Sequence, residues 1–461
     1  MLLINIFKPL GDKLKGFLFC AMLNVITIEA LYQLYLRAGQ QVCTDTRNLE
    51  KGSIFFALKG GNFNANNFAQ KAVELGCMVA IVDEENYANH TNIFFVKDVL
   101  KSLQALANHH RKQFNIPFLA ITGSNGKTTN KELIMAVLSK KYHTLATIGN
   151  LNNHIGVPLT ILRLRKEHQF AIIEMGANHQ GEIHELCTIA DPDYGLITNI
   201  GKAHLEGFGG IEGVKKGKSE MYRYIKAKGA KVFINGDDEL LFQLAFDNDK
   251  ITYGCKKLYD TIGNDLTNSG DLVRLKFTTR YGEKDWNKID LIETQIIGTY
   301  NFINCLAAAA VGNYFKVDAL MIKQALESYQ PNMNRSQLFK TKSNTLILDA
   351  YNANPNSMQV AIENFAGYKA QHKVVILGDM FELGDHSDIE HLRIIEQLKE
   401  LAFEEVILVG EHFYKLNTKG FVTFKSTAEC RDYLGKQHYA EKTVLIKGSR
   451  GMKMEILQEV L

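Results

Sequence analysis

The chain has 461 residues, of which 46% are hydrophobic and 22% are charged. This length is too great for one ordinary domain and favours a globular, soluble chain of about three domains, with enough apolar residues for several cores. Lysine and arginine exceed aspartate and glutamate by only three, 53 against 50, which gives no indication of a nucleic-acid or membrane partner.

The amino-terminal residues 1–21 are interpreted as an extension of unknown role. Three lysines precede the apolar run 16–23, as in a signal peptide, but no small-residue cleavage site follows it. Asn24 and Glu29 interrupt the run before it is long enough to cross a bilayer, so stable membrane insertion is not expected. Met22 is a candidate for the true start of the protein.

The seven cysteines are scattered, with no Cys-x-x-Cys pair. An odd and dispersed set favours buried, reduced thiols over disulfides or a zinc site. We therefore expect a cytoplasmic protein.

The first predicted block is residues 22–114. A helical pattern begins near Thr27, and apolar segments then alternate with helical ones. Strands are expected at 53–58 and 78–82, and helices at 67–75 and 99–113. This alternation is typical of parallel α/β units.

The second block, residues 115–330, starts where Pro117 disfavours a continuing helix. A buried strand at 118–122 runs into a glycine turn and a helix that begins at Lys127. Further strands are predicted at 170–175, 195–199 and 231–235, and the segment 272–297 is predicted to form antiparallel strands.

The third block, residues 331–461, returns to regular alternation. Its strands are predicted at 345–348, 374–377, 406–409 and 444–446, with a helix after Pro355. The fold class of the whole chain is therefore predicted to be α/β with mainly parallel sheets.

A phosphate-binding loop is predicted between the strand 118–122 and the helix that follows it. Backbone N–H groups of a glycine turn at a helix N-terminus converge on one point, where the helix dipole favours an anion. Ile121, four residues before Asn125, stands where the general Walker A pattern has glycine. The alternative is an ordinary strand–turn–helix corner, but strand, glycines, lysine and paired threonines coincide here. We expect a phosphate-bearing ligand at Gly123, Ser124, Asn125, Gly126, Lys127, Thr128 and Thr129.

Two further strand ends provide candidate catalytic side chains at the same sheet edge. Glu174 ends a strand after four apolar residues, where a carboxylate is costly to bury unless it meets a cation. His204 follows the next strand, although such a histidine alone is more often structural. With the Thr128 hydroxyl these residues are predicted to bind Mg²⁺.

These segments together resemble the Mur ligase family, the cytoplasmic amide ligases of peptidoglycan synthesis, over nearly all of residues 27–461. The family has a shortened phosphate loop, which explains why Ile121 stands where the general Walker A pattern has glycine. Residues 150–158, 174–183 and 203–208 resemble segments peculiar to the members that add D-alanyl-D-alanine. Tyr300 stands where most members have histidine.

The resemblance implies a three-domain architecture. Residues 22–114 would bind the UDP-linked substrate, and residues 115–330 would form a P-loop ATPase domain of mainly parallel sheet. Residues 331–461 would form a Rossmann-like domain that binds the amine and closes on ATP.

The resemblance also implies roles for single residues outside the loop. Contacts to the uridine diphosphate are implied at Asp45, Thr46, Arg47 and Asn64. ATP contacts are implied at Asn301, Asn304, Arg335 and Asp349, and contacts to the amine substrate at Asn352, Asn354, Lys447 and Arg450. The implied catalytic set is Lys127, Glu174, His204 and Lys218.

Lys218 occupies the place of the family's carbamylated lysine, within a basic run that otherwise reads as a solvated helix face. Carbon dioxide adds to a neutral amine, so the site must favour loss of the lysine proton. The resulting carbamate would join Glu174 and His204 as a ligand of a second Mg²⁺.

The implied activity is that of an ATP-dependent acid–D-amino-acid ligase. A monomer would join two small molecules, UDP-N-acetylmuramoyl-tripeptide and D-alanyl-D-alanine, through an acyl phosphate, in cell-wall synthesis and so in cell shape and division. The Asp-Asn-Pro-Arg signature of relatives that add diaminopimelate is absent, which counts against that step. The rival interpretations are a folylpolyglutamate-type or other Mur ligase, and a P-loop switch or motor.

Overall fold

The structure is a computed structural model that describes residues 26–88, 90–268, 270–279, 287–331, 334–416, 418–437 and 439–461. The predicted amino-terminal extension lies outside these residues. The described chain forms two compact units. The first takes described residues from 26–118, 145–175 and 185–192, and the second takes described residues from 119–144, 176–184 and 193–461.

Residues 26–117 contain a parallel sheet with the strand order β1-β2-β5-β6, and β3 and β4 form a separate antiparallel pair. Thr27 and Asp98 cap the two longer helices through side-chain bonds to the backbone N–H groups of Ala30 and Lys101. The strands are β1 Val42–Cys43, β2 Ile54–Phe56, β3 Lys59–Gly60, β4 Phe63–Asn64, β5 Val79–Val82 and β6 Ile93–Phe95. The helices are α1 Ile28–Arg37, α2 Ala69–Glu74 and α3 Val99–Arg111.

Residues 118–330 contain the predicted phosphate-loop strand and helix. The strands are β7 Phe118–Thr122, β8 Thr144–Ala146, β9 Phe170–Glu174, β10 Tyr194–Ile197, β11 Lys231–Asn235, β12 Asp249–Gly254, β13 Thr261–Asp265, β14 Leu272–Thr279 and β15 Asn287–Ile297. The helices are α4 Lys127–Leu138, α5 Gly156–Ile161, α6 Glu182–Ala190, α7 Leu205–Phe208, α8 Ile211–Lys218, α9 Glu220–Ala227, α10 Glu239–Leu244, α11 Asn301–Tyr314 and α12 Ala319–Ser328.

The second unit contains a sheet in which the strands follow the order β15-β14-β13-β12-β11-β10-β7. Neighbours from β7 to β13 are parallel, whereas β13, β14 and β15 are antiparallel to one another. The prediction of antiparallel strands within 272–297 is therefore confirmed. All five residues of β7 are buried, as expected for a strand covered on both faces.

The third block also lies in the second unit and has the strand order β16-β17-β21-β18-β19-β20, with only the edge strand β16 antiparallel. Asn354 caps α13, and Pro355 takes its first position, which needs no backbone N–H. The strands are β16 Gln337–Lys340, β17 Thr345–Asp349, β18 Lys373–Gly378, β19 Glu405–Val409, β20 Val422–Phe424 and β21 Thr443–Lys447. The helices are α13 Pro355–Gly367, α14 Ser387–Lys399, α15 Glu411–Lys415 and α16 Thr427–Leu434.

The predicted α/β class is confirmed by these parallel sheets. The boundaries proposed at 114/115 and 330/331 stay predictions. Cys255 is exposed, unlike the expected buried thiols, which are found at Cys43, Cys77, Cys187, Cys305 and Cys430. In the part of the chain that the structure describes, no helix is both long and apolar enough to cross a membrane.

Candidate active site

The predicted phosphate loop joins β7 to α4. Gly123 has φ of 143° and Gly126 has φ of 75°, conformations that residues with a side chain rarely adopt. A Cβ at Gly123 would lie 2.0 Å from Oγ1 of Thr198, and one at Gly126 would lie 3.2 Å from Oδ1 of Asn304. The turn therefore needs both glycines, and it delivers the chain into the N-terminus of α4, which favours an anion.

The end of β10 holds this loop in place. The N–H groups of Ser124 and Asn125 donate to the backbone oxygen and to Oδ1 of Asn199, both at 3.0 Å. Oγ1 of Thr198 donates to the Asn125 carbonyl at 2.6 Å. Because β7 and β10 pair in parallel, their following loops leave the same sheet edge, where open α/β sheets bind ligands.

Lys127 is the first residue of α4, and its ammonium group lies back over the loop. Nζ donates to the carbonyl oxygens of Gly123 at 2.7 Å and of Ser124 at 3.3 Å. The Thr128 side chain that follows is buried. This placement fits a lysine that neutralises phosphate charge beside a hydroxyl that binds a metal.

Three buried asparagines form a chain of hydrogen bonds that reaches the phosphate loop. Nδ2 of Asn130 donates to the Gly126 carbonyl at 2.9 Å and to Oδ1 of Asn304 at 2.7 Å. Asn304 in turn donates to Oδ1 of Asn301 at 2.8 Å, and Asn301 donates to the Ile297 carbonyl at 2.9 Å. The predicted pair Asn301 and Asn304 is thus connected to the phosphate loop through Asn130.

Glu174 belongs to the first unit and is 1% exposed. Its Oε1 accepts a bond from Nδ2 of Asn152 at 2.8 Å, and its backbone N–H donates to Oγ1 of Thr147 at 2.9 Å. These contacts fix the carboxylate at the end of β9. The predicted convergence of Glu174 with His204 and Lys218, which belong to the second unit, stays a prediction.

His204 precedes α7 in a left-handed conformation, with φ of 53°. Its Nδ1 contacts the carboxylate of Glu382 in the third block, and this contact lowers the pKa of Glu382. The Glu206 N–H donates to the Glu382 carbonyl at 3.3 Å. His204 is therefore held against the loop that follows β18.

Lys218 ends α8 and is 1% exposed. Its Nζ donates to the Ala177 carbonyl at 3.1 Å and lies 5.1 Å from the centre of the Phe208 ring. Burial, together with repulsion from Lys127, lowers the pKa of Lys218 well below that of an ordinary lysine. Lys218 is thus buried within a basic run, and its implied carbamylation stays a prediction.

Glu220, the first residue of α9, ties the neighbouring segment 177–184 to the helix that follows Lys218. Its carboxylate oxygens accept the N–H groups of Gly181 at 2.6 Å and of His184 at 3.0 Å. Since Lys218 bonds to Ala177 of the same segment, the lysine and this loop are fixed together.

The third block contacts the phosphate loop directly. Nδ2 of Asn354 donates to Oδ1 of Asn125 at 2.6 Å. Lys202 donates its backbone N–H to Asn356 at 2.7 Å and its Nζ to Glu390 at 2.6 Å. The side chain of Asn354 is therefore at the predicted phosphate loop, and its implied contact with the amine substrate stays a prediction.

Several of the other predicted site residues lie near the C-terminal end of β17. Nζ of Lys447 donates to Oδ2 of Asp349 at 2.6 Å and to the Asn352 carbonyl at 3.1 Å. The guanidinium of Arg335 stacks 3.6 Å from the centre of the Tyr351 ring. Lys447 is buried in this network, so its contact with an amine substrate stays a prediction.

Tyr300 connects α11 to the segment that carries Arg335. Its hydroxyl lies 2.7 Å from Oγ of Ser336, whose N–H donates to Oδ1 of Asp349 at 3.1 Å. Burial raises the pKa of Tyr300, so the phenol stays neutral and can donate.

The residues expected to contact uridine diphosphate lie in the first unit. Arg47 and Asp45 form an ion pair at 2.6 Å in which the arginine side chain is 86% exposed, and Thr46 stands between them. Asn64 donates to Oε1 of Glu84 at 2.9 Å. Arg47 is accessible to an anionic ligand, and these assignments stay predictions.

The sequence interpretation missed Asn130, Glu220 and Glu382. Asn130 is a polar residue on the buried face of α4, four positions after Gly126. Because a buried polar side chain needs a hydrogen-bond partner, this position could have indicated a contact with the loop. Glu220 stands two residues after the predicted catalytic lysine. No local pattern pointed to the contact of Glu382 with His204, because it joins distant parts of the chain.

Comparison with known proteins agrees with this geometry. Residues 121–312 match the Mur ligase middle domain, and residues 334–450 match the Mur ligase, glutamate ligase domain. Two curated relatives are named UDP-N-acetylmuramoyl-tripeptide–D-alanyl-D-alanine ligase. The protein from Bacillus subtilis is 33% identical over 90% of this chain and 91% of its own, and that from Haemophilus influenzae is 35% identical over 90% and 92%.

Solved structures show the same likeness. MurF from Acinetobacter baumannii superposes with a TM-score of 0.82 at 33% identity, covering 91% of this chain and 92% of its own. MurF from Thermotoga maritima in complex with ADP superposes with a TM-score of 0.79 at 25% identity, covering 92% and 97%. The chain belongs to the Mur ligase family.

Proposed function

We propose that this chain is an ATP-dependent ligase that adds D-alanyl-D-alanine to UDP-N-acetylmuramoyl-tripeptide in peptidoglycan precursor synthesis. One observation carries the proposal: relatives that bear this name match 90% of the chain at 33% and 35% identity. The likeness therefore extends beyond the phosphate loop, which many unrelated enzymes share. The relative bound to ADP supports ATP as the energy source.

The chemistry requires activation of a carboxylate, which is a poor electrophile. A carboxylate oxygen of the tripeptide attacks the γ-phosphorus of ATP, the bond to the β-phosphate oxygen breaks, and ADP leaves. The amine of the dipeptide then attacks the acyl carbon, a C–N bond forms, and phosphate leaves. Of the two protons lost from the ammonium group, one goes to phosphate and the other to solvent.

The residues of the second unit would act mainly by alignment and charge neutralisation. Lys127 lies at the loop that would hold the phosphates, and the asparagine chain from Asn130 to Asn301 keeps that loop in shape. Asn354 brings the third block to the same loop. Closure of this kind would exclude water until the amine arrives.

Mg²⁺ is proposed at the phosphate loop, bound through the Thr128 hydroxyl, with Glu174 as a second oxygen ligand. Among the described residues, no group of three histidine, cysteine, aspartate or glutamate side chains could hold a metal alone. The donors fit an ion that takes its other ligands from nucleotide phosphates and water, as Mg²⁺ does. The bound ion would neutralise charge on the transferring phosphoryl group.

A carbamate on Lys218 is proposed because the lysine's surroundings favour a neutral amine. The side chain is buried, and a second cation, Lys127, lowers its pKa further. Carbon dioxide adds to the uncharged form only. With the carbamate in place, His204 and Glu174 would complete a set of ligands for a second Mg²⁺.

Product analysis tests the proposed function. The protein is incubated with ATP, Mg²⁺ and UDP-N-acetylmuramoyl-tripeptide, with D-alanyl-D-alanine, single L-amino acids or no amine. We expect the pentapeptide product by mass, and phosphate release only when both the carboxylate and the dipeptide are present. Joining of diaminopimelate or L-lysine to the corresponding dipeptide precursor would instead favour another Mur ligase. Phosphate release without either organic substrate would favour a switch or motor.

A further inference from the structure

The segment that follows β10, residues 198–206, holds the phosphate loop on one of its sides. Asn199 accepts the N–H groups of Ser124 and Asn125, both at 3.0 Å. The Ser124 hydroxyl also donates to the Gly201 carbonyl at 3.0 Å and accepts the Gly201 N–H at 2.9 Å. A shift of this segment would therefore move the phosphate loop.

The other side of the same segment contacts two helices of the third block. The Lys202 N–H donates to Oδ1 of Asn356 on α13 at 2.7 Å, and a Cβ at Gly201 would lie 3.0 Å from that oxygen. Nζ of Lys202 donates to Oε1 of Glu390 on α14 at 2.6 Å. One residue, Lys202, thus contacts both helices, with its backbone and with its side chain.

Glu390 differs from the carboxylates of ordinary surface ion pairs, because it is only 5% exposed. A buried carboxylate costs free energy unless a cation compensates it. Two cations contact it here, Lys202 and Arg393, whose guanidinium donates to Oε1 at 2.5 Å. Arg393 belongs to the same helix as Glu390, so of these two ion pairs it is the one with Lys202 that joins the second block to the third.

We propose that Lys202 is a positioning residue that couples nucleotide binding at the phosphate loop to docking of the third block, through its ion pair with Glu390. Docking here means contact of α13 and α14 with the segment 198–206. The proposal rests on the proposed function, in which the third block brings the amine to the nucleotide. Lys202 acts through the segment that holds the loop, and it is assigned no contact with a substrate.

The direction of the coupling follows from the position of these contacts. They involve neither Lys127 nor the N-terminus of α4, where the phosphates are expected. A docked third block holds the segment and thereby the loop, and a site that is already ordered loses less conformational entropy when its ligand binds. Docking should therefore favour nucleotide binding, and by linkage nucleotide binding should favour docking by the same factor.

Two backbone amides of the segment report docking without any ligation chemistry. The Lys202 N–H donates to Asn356, and the Glu206 N–H donates to the Glu382 carbonyl at 3.3 Å. Both acceptors belong to the third block, so these amides are protected from hydrogen exchange while that block is docked. Exchange of residues 202–206 is measured by mass spectrometry with and without β,γ-methylene-ATP, and the Kd of this analogue is measured by calorimetry.

The variants separate the charge of Lys202 from its bulk. Lys202→Met keeps the apolar stem, Lys202→Arg keeps the charge, and Glu390→Gln removes the partner's charge. The double variant combines Lys202→Met with Glu390→Gln. The control is Lys226→Met, which removes a lysine of α9 whose ion pair with Asp247, at 2.8 Å, lies within the second block. Melting temperatures show whether each variant keeps its fold.

We expect the analogue to slow exchange of residues 202–206 about tenfold in the unmodified protein and in Lys226→Met, which is within the usual range of coupling between two sites. Lys202→Met, Glu390→Gln and the double variant should show little slowing, and they should bind the analogue more weakly by the same factor. Lys202→Arg should keep most of both effects. The double variant should be no weaker than the single ones, because all three remove one interaction.

Slowing by the analogue that is as large in Lys202→Met as in the unmodified protein would overturn the proposal. So would no slowing in the unmodified protein, or additive losses of analogue binding in the double variant. A residue that only stabilises the fold would change the melting temperature and would alter exchange equally with and without the analogue. The proposed function is tested apart from this, because a protein that shows the coupling but joins no D-alanyl-D-alanine would contradict the proposed function alone.

Discussion

Two lysines near the active-site loops are held in different ways by the fold. Lys127 keeps its ammonium group beside the carbonyl oxygens of Gly123 and Ser124, where a cation is favoured. Lys218 is buried, with one backbone carbonyl at 3.1 Å, and its lowered pKa favours the neutral amine. The first environment suits charge neutralisation, and the second suits a lysine that reacts with carbon dioxide.

Replacing Lys127 by alanine should remove ligation and leave the fold intact. A charge contact to a transferring phosphoryl group is worth about 3 kcal/mol in the barrier, or roughly a hundredfold in kcat. The measurements are kcat and melting temperature, with Lys140→Ala, an exposed lysine just beyond α4, as control. Near-normal turnover by a folded Lys127→Ala protein would show that this loop does not bind the ATP phosphates.

Lys218→Ala should be nearly inactive, and formate or acetate should partly restore it by supplying the missing oxygen ligand. Lys218→Arg should also be inactive, because a guanidinium cannot form the carbamate. Independently of activity, ¹³C-labelled carbon dioxide should give a carbamate NMR signal that is absent from both variants. Full activity of Lys218→Ala without an added carboxylate would rule the carbamate out.

Tyr300→Phe should lower kcat roughly tenfold, since the lost hydrogen bond to Ser336 is worth about 1 kcal/mol or somewhat more and lies next to Arg335. Ser336→Ala should have the same effect. The double variant should be no slower than either single variant, because both remove one interaction. Additive losses in kcat would contradict coupling through this bond.

At the scale of elements, helix α3 is joined to the segment after α5 through a buried histidine. His110 on α3 is 1% exposed, and its Nε2 lies 3.2 Å from the Leu164 carbonyl, which requires a proton on that nitrogen. Nδ1 lies 3.3 Å from the Tyr32 hydroxyl. Burial lowers the pKa of His110 to about 4, so the neutral ring is the form that stabilises this packing.

The first unit should therefore lose stability in acid. The folded-state pKa of His110 lies below its unfolded value of about 6.5, so its contribution is present above that pH and is lost as the pH falls toward about 4. The loss is at most about 3 kcal/mol. We expect His110→Gln to flatten this part of the pH dependence of the unfolding free energy, and the exposed His90→Gln to leave it unchanged. An unchanged slope in His110→Gln would contradict this account.

Elements with a strong local pattern were predictable from the sequence, as β7, its glycine turn and α4 show. Their apolar run, glycines and helix onset are adjacent in the chain, so no distant contact was needed. The bond from Asn130 to Asn304 and the contact of Glu382 with His204 were not predictable, because each joins residues more than 170 positions apart. Burial of Lys218 was likewise set by Phe208 and Ala177 rather than by its basic neighbours.

At the scale of the whole molecule, the described chain forms two compact units, and neither unit is a single continuous range of residues. Residues 145–175 and 185–192 join the first unit, although the sequence places them inside the predicted ATP-binding block. A pattern in the sequence can assign only continuous ranges of residues to a domain. A compact unit instead forms from elements that pack together, wherever these elements lie in the chain. Glu174 belongs to the first unit for this reason, and Lys127 and Lys218 belong to the second.

The central claim is that the chain joins carboxylate and amine through an acyl phosphate, and isotope transfer tests it most directly. The tripeptide substrate carries ¹⁸O in both oxygens of its reacting carboxylate, and the products of a reaction with ATP and D-alanyl-D-alanine are analysed by mass spectrometry. The account predicts one ¹⁸O atom in the released phosphate and one in the new amide. Amide formation with ¹⁸O in AMP instead, or no amide at all, would contradict it.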